Sequence, residues 1–119
     1  MKITLISPKG PLYRHRGGIF KKGLRYAPLT LTTLAAYIPA ELNATVEIID
    51  EGVEDVDIDR VQTDLVGITS TTGNSFRAYE LADRLRARGI LVVMGGPHVT
   101  LVPDEAQQHV DSVVVGYAE

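Results

Sequence analysis

The sequence predicts an α/β fold in which helices cover both faces of a parallel β-sheet. Short runs of Ile, Leu and Val recur along the chain, and segments with a helical period separate them. Strands that are apolar along their whole length are typical of parallel strands buried on both sides. Strands that alternate with helices indicate right-handed crossovers, which place successive strands parallel in one sheet.

Composition limits the classes of protein to which the chain can belong. It has 119 residues, of which 45% are hydrophobic and 23% charged, the profile of one globular domain. The formal net charge of −3 gives no overall attraction to nucleic acid or acidic membranes. The absence of cysteine excludes iron–sulfur ligation and thiol catalysis within this chain. Without a signal peptide or an apolar run of roughly 18 residues, we expect a cytoplasmic protein with no membrane span.

The first half of the chain predicts two strands and one helix. Residues 3–7 form a short apolar run, expected to be the central first strand, and residues 45–49 form the second. Pro28 stands near the first position of the helix, and Pro39 ends it near Ile38. The apolar face of this helix comprises Leu31, Leu34, Ala35, Ile38 and Leu42.

Two charged segments lie on either side of these elements. Residues 9–26 carry six Lys or Arg residues without a clear period, which predicts a long basic loop. Such a loop is either a flap over a site or simply solvated. The acidic residues 50–59 are predicted to form a solvated crossover. Because their spacing does not match a calcium loop, no metal site is assigned to them.

The second half predicts three more strands, at residues 65–69, 90–94 and 112–115, with a short helix opened by Pro103 before the last. Five strands with right-handed crossovers favour a flavodoxin-like three-layer sandwich with strand order 2-1-3-4-5. The helix expected after the fifth strand is missing. We therefore expect residues 1–119 to be a single domain and an N-terminal fragment of a larger protein.

The helix between the third and fourth strands has clear boundary signals. Asn74 or Ser75 can cap its start, and Gly89 supplies its stop. Glu80 and Arg84 are spaced to form an ion pair on the solvent side. The predicted buried stripe consists of Ala78, Leu81, Ala82 and Leu85.

Small and hydroxyl-bearing residues follow the last three strands where each strand ends. They are Thr69, Ser70, Thr71, Thr72 and Gly73 after the third, Gly95, Gly96, Pro97 and His98 after the fourth, and Gly116 after the fifth. These strand ends meet at one edge of a parallel sheet, where open sheets bind ligands. Hydroxyls and bare amides suit a neutral or phosphate-bearing ligand with a tail between sheet and helices. An ordinary structural interpretation also exists, since Ser and Thr cap helices and glycines form turns.

Other sites known for such sheets lack support in the sequence. The segment SPKGPLYRHRGG follows the first strand, so the G-x-G-x-x-G fingerprint fails and NAD is disfavoured. A phosphorylated receiver domain needs carboxylates at the ends of its first and third strands, where this chain has Ser7-Pro8 and Thr69-Ser70-Thr71. A Walker loop is absent, and no catalytic triad has sequence support.

Four segments, YAPLTLTTLAAYIP, VGITSTTGNSFRAYELADRLRARG, VVMGGPHVTLVPDEA and VVVGYAE, stand in this order along the chain. Together they resemble the N-terminal cobalamin-binding domain of cobalamin-dependent radical S-adenosylmethionine enzymes, over nearly the whole chain. The resemblance implies that Ser70, Thr71 and Thr72, with Gly95 and Gly96, surround the nucleotide tail of cobalamin. The D-x-H-x-x-G motif of other cobalamin proteins is absent. The resemblance therefore implies a cofactor whose own base is displaced, with no histidine from that motif on cobalt.

The same resemblance implies a function. The chain would be a non-catalytic module that presents cobalamin to a downstream radical domain, in which S-adenosylmethionine and a 4Fe–4S cluster are bound. The parent would be a methyltransferase or a cyclase. His98 is open to three roles, namely contact with the corrin, cobalt ligation or a structural turn. The alternative hypothesis is a flavodoxin-like signalling or interaction domain that binds a nucleotide, a flavin or a protein partner.

Overall fold

In the computed structural model, which describes residues 1–10, 29–116 and 118, one parallel sheet organises the chain. Its strand order is β2-β1-β3-β4-β5, and every neighbouring pair is parallel. The strands are β1 (Lys2–Ser7), β2 (Thr45–Asp50), β3 (Leu65–Thr69), β4 (Leu91–Gly95) and β5 (Ser112–Val113). The predicted flavodoxin-like α/β fold and strand order are confirmed. Most of the predicted basic loop lies outside the described residues.

Four helices connect these strands in the described part of the chain. They are α1 (Leu29–Tyr37), α2 (Ser75–Ala87), α3 (Pro97–Leu101) and α4 (Pro103–Gln107). Helix α1 ends before Pro39, as predicted, whereas α3 was not predicted. None of these helices combines the length and apolar character needed to cross a membrane.

One face of the sheet is fully covered. Residues Ile6, Val66, Ile68, Val92 and Met94 point to this face and pack against α2. The predicted stripe of α2, formed by Ala78, Leu81, Ala82 and Leu85, is completely buried there. Helices α3 and α4 add one buried residue each to the same core, Val99 and Ala106. The main hydrophobic core of the domain therefore lies on this side, which we call the α2 face.

On the opposite face, here the α1 face, the described residues cover only half of the width of the sheet. Leu31 of α1 packs against Ile3 and Leu5 of β1, in a second and smaller core. No described helix lies over β3 and β4 on this side, and Leu91 is 58% exposed there. The uncovered half leaves a groove along the sheet.

One prediction about charged residues fails at a single residue, and another is wrong. The acidic run was expected to be solvated, but Glu51 is 0% exposed and bound to Arg77. Its partner is distant in sequence, so composition alone could not reveal the burial. Glu80 pairs with Arg77 instead of Arg84, whose guanidinium lies 4.0 Å from Asp59.

Candidate functional site

A groove of about 920 Å³ runs along the α1 face, from the carboxyl ends of the strands toward their amino ends. Strands β3 and β4 form its floor, and α1 forms one wall. The segments that follow β4 and β5 form its mouth at the carboxyl edge. This volume is in the range of about 300–1,000 Å³ that small-molecule sites occupy.

The floor contains a glycine where a side chain would otherwise stand. Leu5, Gly67 and Val93 lie side by side on β1, β3 and β4 and all line the groove. Because Gly67 has no side chain, the main chain of β3 itself lines the groove beside Leu5. A Cβ at this position would lie 2.8 Å from Cδ2 of Leu5. Glycine inside a strand often marks a place where a ligand approaches the backbone closely.

The walls are apolar, and polar side chains occur toward the ends. Leu34 and Ile38 of α1 face the floor, with Val114 on the β5 side. The hydroxyl-bearing Thr69 and Thr100 stand near the mouth. The groove thus offers an apolar interior with hydrogen-bonding groups at its opening.

Gly96 shapes the mouth by its backbone. Its φ of 105° lies in the left-handed region, which favours glycine. A Cβ there would lie 2.6 Å from the carbonyl oxygen of Ser70 and 2.8 Å from its nitrogen. The amide of Ser70 donates to the carbonyl of Gly95 at 2.9 Å, and the amide of His98 donates to the carbonyl of Ser70 at 3.1 Å. The loops after β3 and β4 are therefore joined through main-chain hydrogen bonds.

Thr100 connects the ends of β4 and β5. Its hydroxyl donates to the carbonyl of Gly96 at 3.1 Å and accepts from the amide of Gly116 at 3.0 Å. Of the residues predicted to lie at this edge, Thr69, Gly95, Gly96, Pro97 and Gly116 line the groove. Sequence reasoning placed these five at one edge, and the structure brings them together at the mouth.

The remaining predicted residues lie at the carboxyl edge but do not line the groove. Ser70 is buried, and its hydroxyl donates to the carbonyl of Thr71 at 3.2 Å. Thr71 forms a capping box with Asn74, whose side-chain oxygen accepts the amide of Thr71 at 2.8 Å. The capping box fixes the 3-10 turn Thr72–Asn74 that leads into α2, which is an ordinary role for a hydroxyl residue at such a position.

His98 points away from the groove toward α2 and α4. Its Nδ1 lies 3.2 Å from the hydroxyl of Thr72. Its Nε2 lies 2.9 Å from the carboxylate of Glu105 and 3.1 Å from the hydroxyl of Tyr79. Hydrogen bonds from Tyr79 and from His98 hold the pKa of Glu105 below its usual value. Both ring nitrogens of His98 thus have partners within the protein, and the ring ties α3 to α2 and α4.

A buried ion pair supports the carboxyl ends of β1 and β2. Arg77 donates from Nε and Nη2 to the two oxygens of Glu51, at 2.9 Å and 2.7 Å. The amides of Val56 and Lys9 donate to the same carboxylate at 2.9 Å and 3.2 Å. Burial raises the pKa of Glu51, but the hydrogen bonds and charge of Arg77, with the two amides, outweigh burial and lower it. The pair joins the first turn of α2 to the segments that follow β1 and β2.

Sequence reasoning missed the groove's interior. Leu34 and Val93 look like ordinary core residues in the sequence, because an apolar residue gives the same signal whether or not a helix covers it. Gly67 did carry a signal. Glycine weakens a strand, and a glycine inside a strand often marks a place where a ligand or another main chain approaches closely. No set of three or more His, Cys, Asp or Glu residues suited to a metal occurs in the described ranges.

A parallel sheet with an apolar groove that opens through glycines at its carboxyl edge defines the class, a cofactor-binding α/β domain. Comparison with protein families is more specific. The model of the B12 binding domain matches residues 17–119. The chain belongs to this family.

Curated relatives are methyltransferases. Bacteriochlorophyllide d C-8(2)-methyltransferase of Chlorobaculum tepidum is 46% identical over 74 residues, which is 62% of this chain and 16% of that protein. The C-12(1)-methyltransferase of the same organism is 46% identical over 56 residues, 47% of this chain and 12% of the relative. An uncharacterized methyltransferase of Pyrococcus horikoshii is 36% identical over 131 aligned residues, covering 100% of this chain and 27% of the relative.

The matched part is thus a small share of each relative, between 12% and 27% of its length. The methyltransferase names describe those longer proteins. No solved structure matches the chain significantly.

Proposed function

We propose that the chain binds cobalamin with the nucleotide tail in the groove and the corrin ring above the carboxyl edge. Membership in the B12 binding domain family supports the ligand. The observation that carries the placement is the groove itself, which is lined by the main chain of Gly67 and opens between Gly95 and Gly116. A tail that occupies this groove requires that the cofactor's own base has left cobalt.

The residues present fit such a tail. The apolar side chains of Leu31, Leu34 and Val93 line the groove and would shield a bound tail from water, and Gly96 lets the main chain form the mouth without a side chain. Ser70, Thr71, Thr72, Pro97 and His98 lie at the carboxyl edge, where we assign them to the surroundings of the bound cofactor. The partners of His98 within the protein support a role for its ring in holding this edge rather than in binding cobalt.

We further propose that the module serves a longer methyltransferase. The relatives named above support this, since the matched segment is a small part of each. The sequence resemblance indicates a radical S-adenosylmethionine domain as the catalytic partner, with its 4Fe–4S cluster and S-adenosylmethionine bound there. Cobalamin supplies a carrier for a methyl group. The role of this chain is to bind the cofactor and present one face of it, and we assign it no catalytic residue.

A direct test is to mix the purified chain with hydroxocobalamin at micromolar concentration, desalt it and record the visible spectrum. We expect the wild-type chain to retain the corrinoid. Val93→Trp places an indole in the groove, and we expect retention to fall by at least about tenfold, because the tail and the indole compete for one volume. Circular dichroism verifies that the variant is folded.

Leu91→Trp is the matched control. Leu91 lies two residues earlier on the same strand and face, is exposed, and does not line the groove. This variant should retain the corrinoid like the wild type. Equal retention by Val93→Trp and Leu91→Trp would place the tail elsewhere, and a wild-type chain that retains nothing would refute binding by this chain.

A further inference from the structure

We propose that the groove discriminates among cobalamin-type cofactors by their lower base, and that it favours an apolar aromatic base over a purine. This inference rests on the proposed binding of the nucleotide tail in the groove, and it adds the class of lower base that the groove prefers. The residues that determine the preference are Gly67, Val93 and Leu34. They lie at the middle of the groove.

The middle of the groove has the shape of a slot. Leu5 and Val93 flank Gly67 on the neighbouring strands. Leu31 and Leu34 of α1 line the same groove from its wall. A planar ring can lie between these aliphatic side chains beside the main chain of Gly67, and a Cβ on β3 would press on Leu5 and narrow that space.

The slot contains no hydrogen-bonding side chain among the described residues that line it. Thr30, in the first turn of α1, also lines the groove, and its hydroxyl lies with those of Thr69 and Thr100 toward the mouth, because α1 begins at the carboxyl edge; Tyr37 is at the far end, where it is 65% exposed. The main chain of Gly67 gives no partner either, because β3 is paired with β1 on one side and β4 on the other. Polar atoms of a base in the middle of the groove would therefore lose water without gaining a partner among the described residues.

The two classes of base differ in the number of polar atoms that they would bury in the slot. Dimethylbenzimidazole carries one ring nitrogen with a lone pair besides the nitrogen bonded to ribose, and its methyl groups add apolar area. Adenine carries two further ring acceptors and an exocyclic amine. Each polar group that is buried without a partner weakens binding, so we expect an adenine-based cobamide to bind roughly tenfold or more weakly than cobalamin.

The test is a titration of the purified chain with three corrinoids, followed by visible absorption: cobalamin, an adenine-based cobamide, and cobinamide, which has no nucleotide tail. We expect cobalamin to bind most tightly and both others to bind more weakly. Equal affinity for cobinamide and cobalamin would refute the placement of the tail itself. Equal affinity for cobalamin and the adenine-based cobamide, with cobinamide weaker, would refute only the selectivity.

A variant assigns the selectivity to the slot. Val93→Thr keeps the shape of the side chain and adds a hydroxyl in the slot, where it can pair with a purine nitrogen. We expect the ratio of the affinity for cobalamin to the affinity for the adenine-based cobamide to fall by roughly 2- to 10-fold, which is the effect of one hydrogen bond. Leu91→Thr, outside the groove, should leave the ratio unchanged. An unchanged ratio in Val93→Thr would overturn the assignment to the middle of the groove.

Discussion

The two faces of the sheet are built from similar residues but are covered differently. On the α2 face, Leu81 and Leu85 of the helix close over Val66 and Val92 with no exposed surface. On the α1 face, Val93 and Gly67 belong to the same strands and lie in the open groove. The two faces do not differ in the chemistry of their side chains. They differ in whether a described helix lies above each strand.

This difference separates stability from binding within one sheet. Burial of apolar area on the α2 face contributes to the free energy of folding, about 25 cal/mol for each Å² removed from water. Apolar area in the groove is still in contact with water, so it is available to a ligand. Mutations on the two faces should therefore affect different measurements.

The largest expected effect is on the α2 face. Leu81→Ala should lower the free energy of unfolding by about 2–5 kcal/mol, because it leaves a cavity in a closed core. Val93→Ala, on the α1 face of β4, should lower the free energy of unfolding by less than about 1 kcal/mol. Urea unfolding of both variants provides the measurement. Similar losses in the two variants would show that the groove is closed in solution and that the faces do not differ.

The second effect concerns the buried pair at the carboxyl edge. Glu51→Gln removes the negative charge that faces Arg77, and it should lower the free energy of unfolding at pH 7 by about 1.5–3 kcal/mol. The pair belongs to the α2 face of the molecule, because Arg77 is a residue of α2. Glu47→Gln is the control, because the side chains of Glu47 and its partner Lys2 are 49% and 43% exposed and pairs at the surface contribute little.

The same pair gives a pH dependence with a defined sign. The pKa of Glu51 is lower in the folded chain than its usual value of 4.5. A carboxylate with a depressed pKa contributes stability that is complete above the unfolded pKa and is lost as the pH falls through the folded pKa. Unfolding curves should therefore show the gap between wild type and Glu51→Gln shrinking as the pH falls below 4.5. A gap that is constant down to about pH 3 would contradict the assigned cause.

The smallest effect compares two glycines at the groove. Gly96→Ala should cost about 1–3 kcal/mol, because the residue has a positive φ and its Cβ meets the fixed main chain of Ser70. Gly67→Ala should change stability by less than about 1 kcal/mol, since its Cβ meets a methyl group of Leu5 that can turn into the groove. Thermal unfolding of the Gly96→Ala and Gly67→Ala variants measures the difference in stability. A larger loss for Gly67→Ala would mean that Leu5 has no room to move.

The sequence predicted the fold well because its signals are local. Continuous apolar runs identified the strands, and Gly89, with a φ of 81°, ended α2 where expected. The glycines at the mouth were also found, because the end of a parallel strand is a known position in the fold. Gly95, Gly96 and Gly116 could be assigned to one edge from their order alone.

The interior of the site and the charged pairs could not be predicted because they depend on contacts between distant residues. Val93 lines the groove only because no described helix covers that part of the sheet. Glu51 is buried through Arg77, which is 26 residues further along the chain. Likewise, the ring of His98 faces Glu105 and Tyr79 because α3 and α4 fold back on α2.

The hydrogen bonds that join Ser70 to Gly95 and His98 have a consequence for how tightly a ligand can be held. This main chain is already in one conformation before anything occupies the groove, so little conformational entropy remains to be lost there on association. Contacts at this end of the groove therefore translate into affinity more fully than contacts with a segment that must first become ordered.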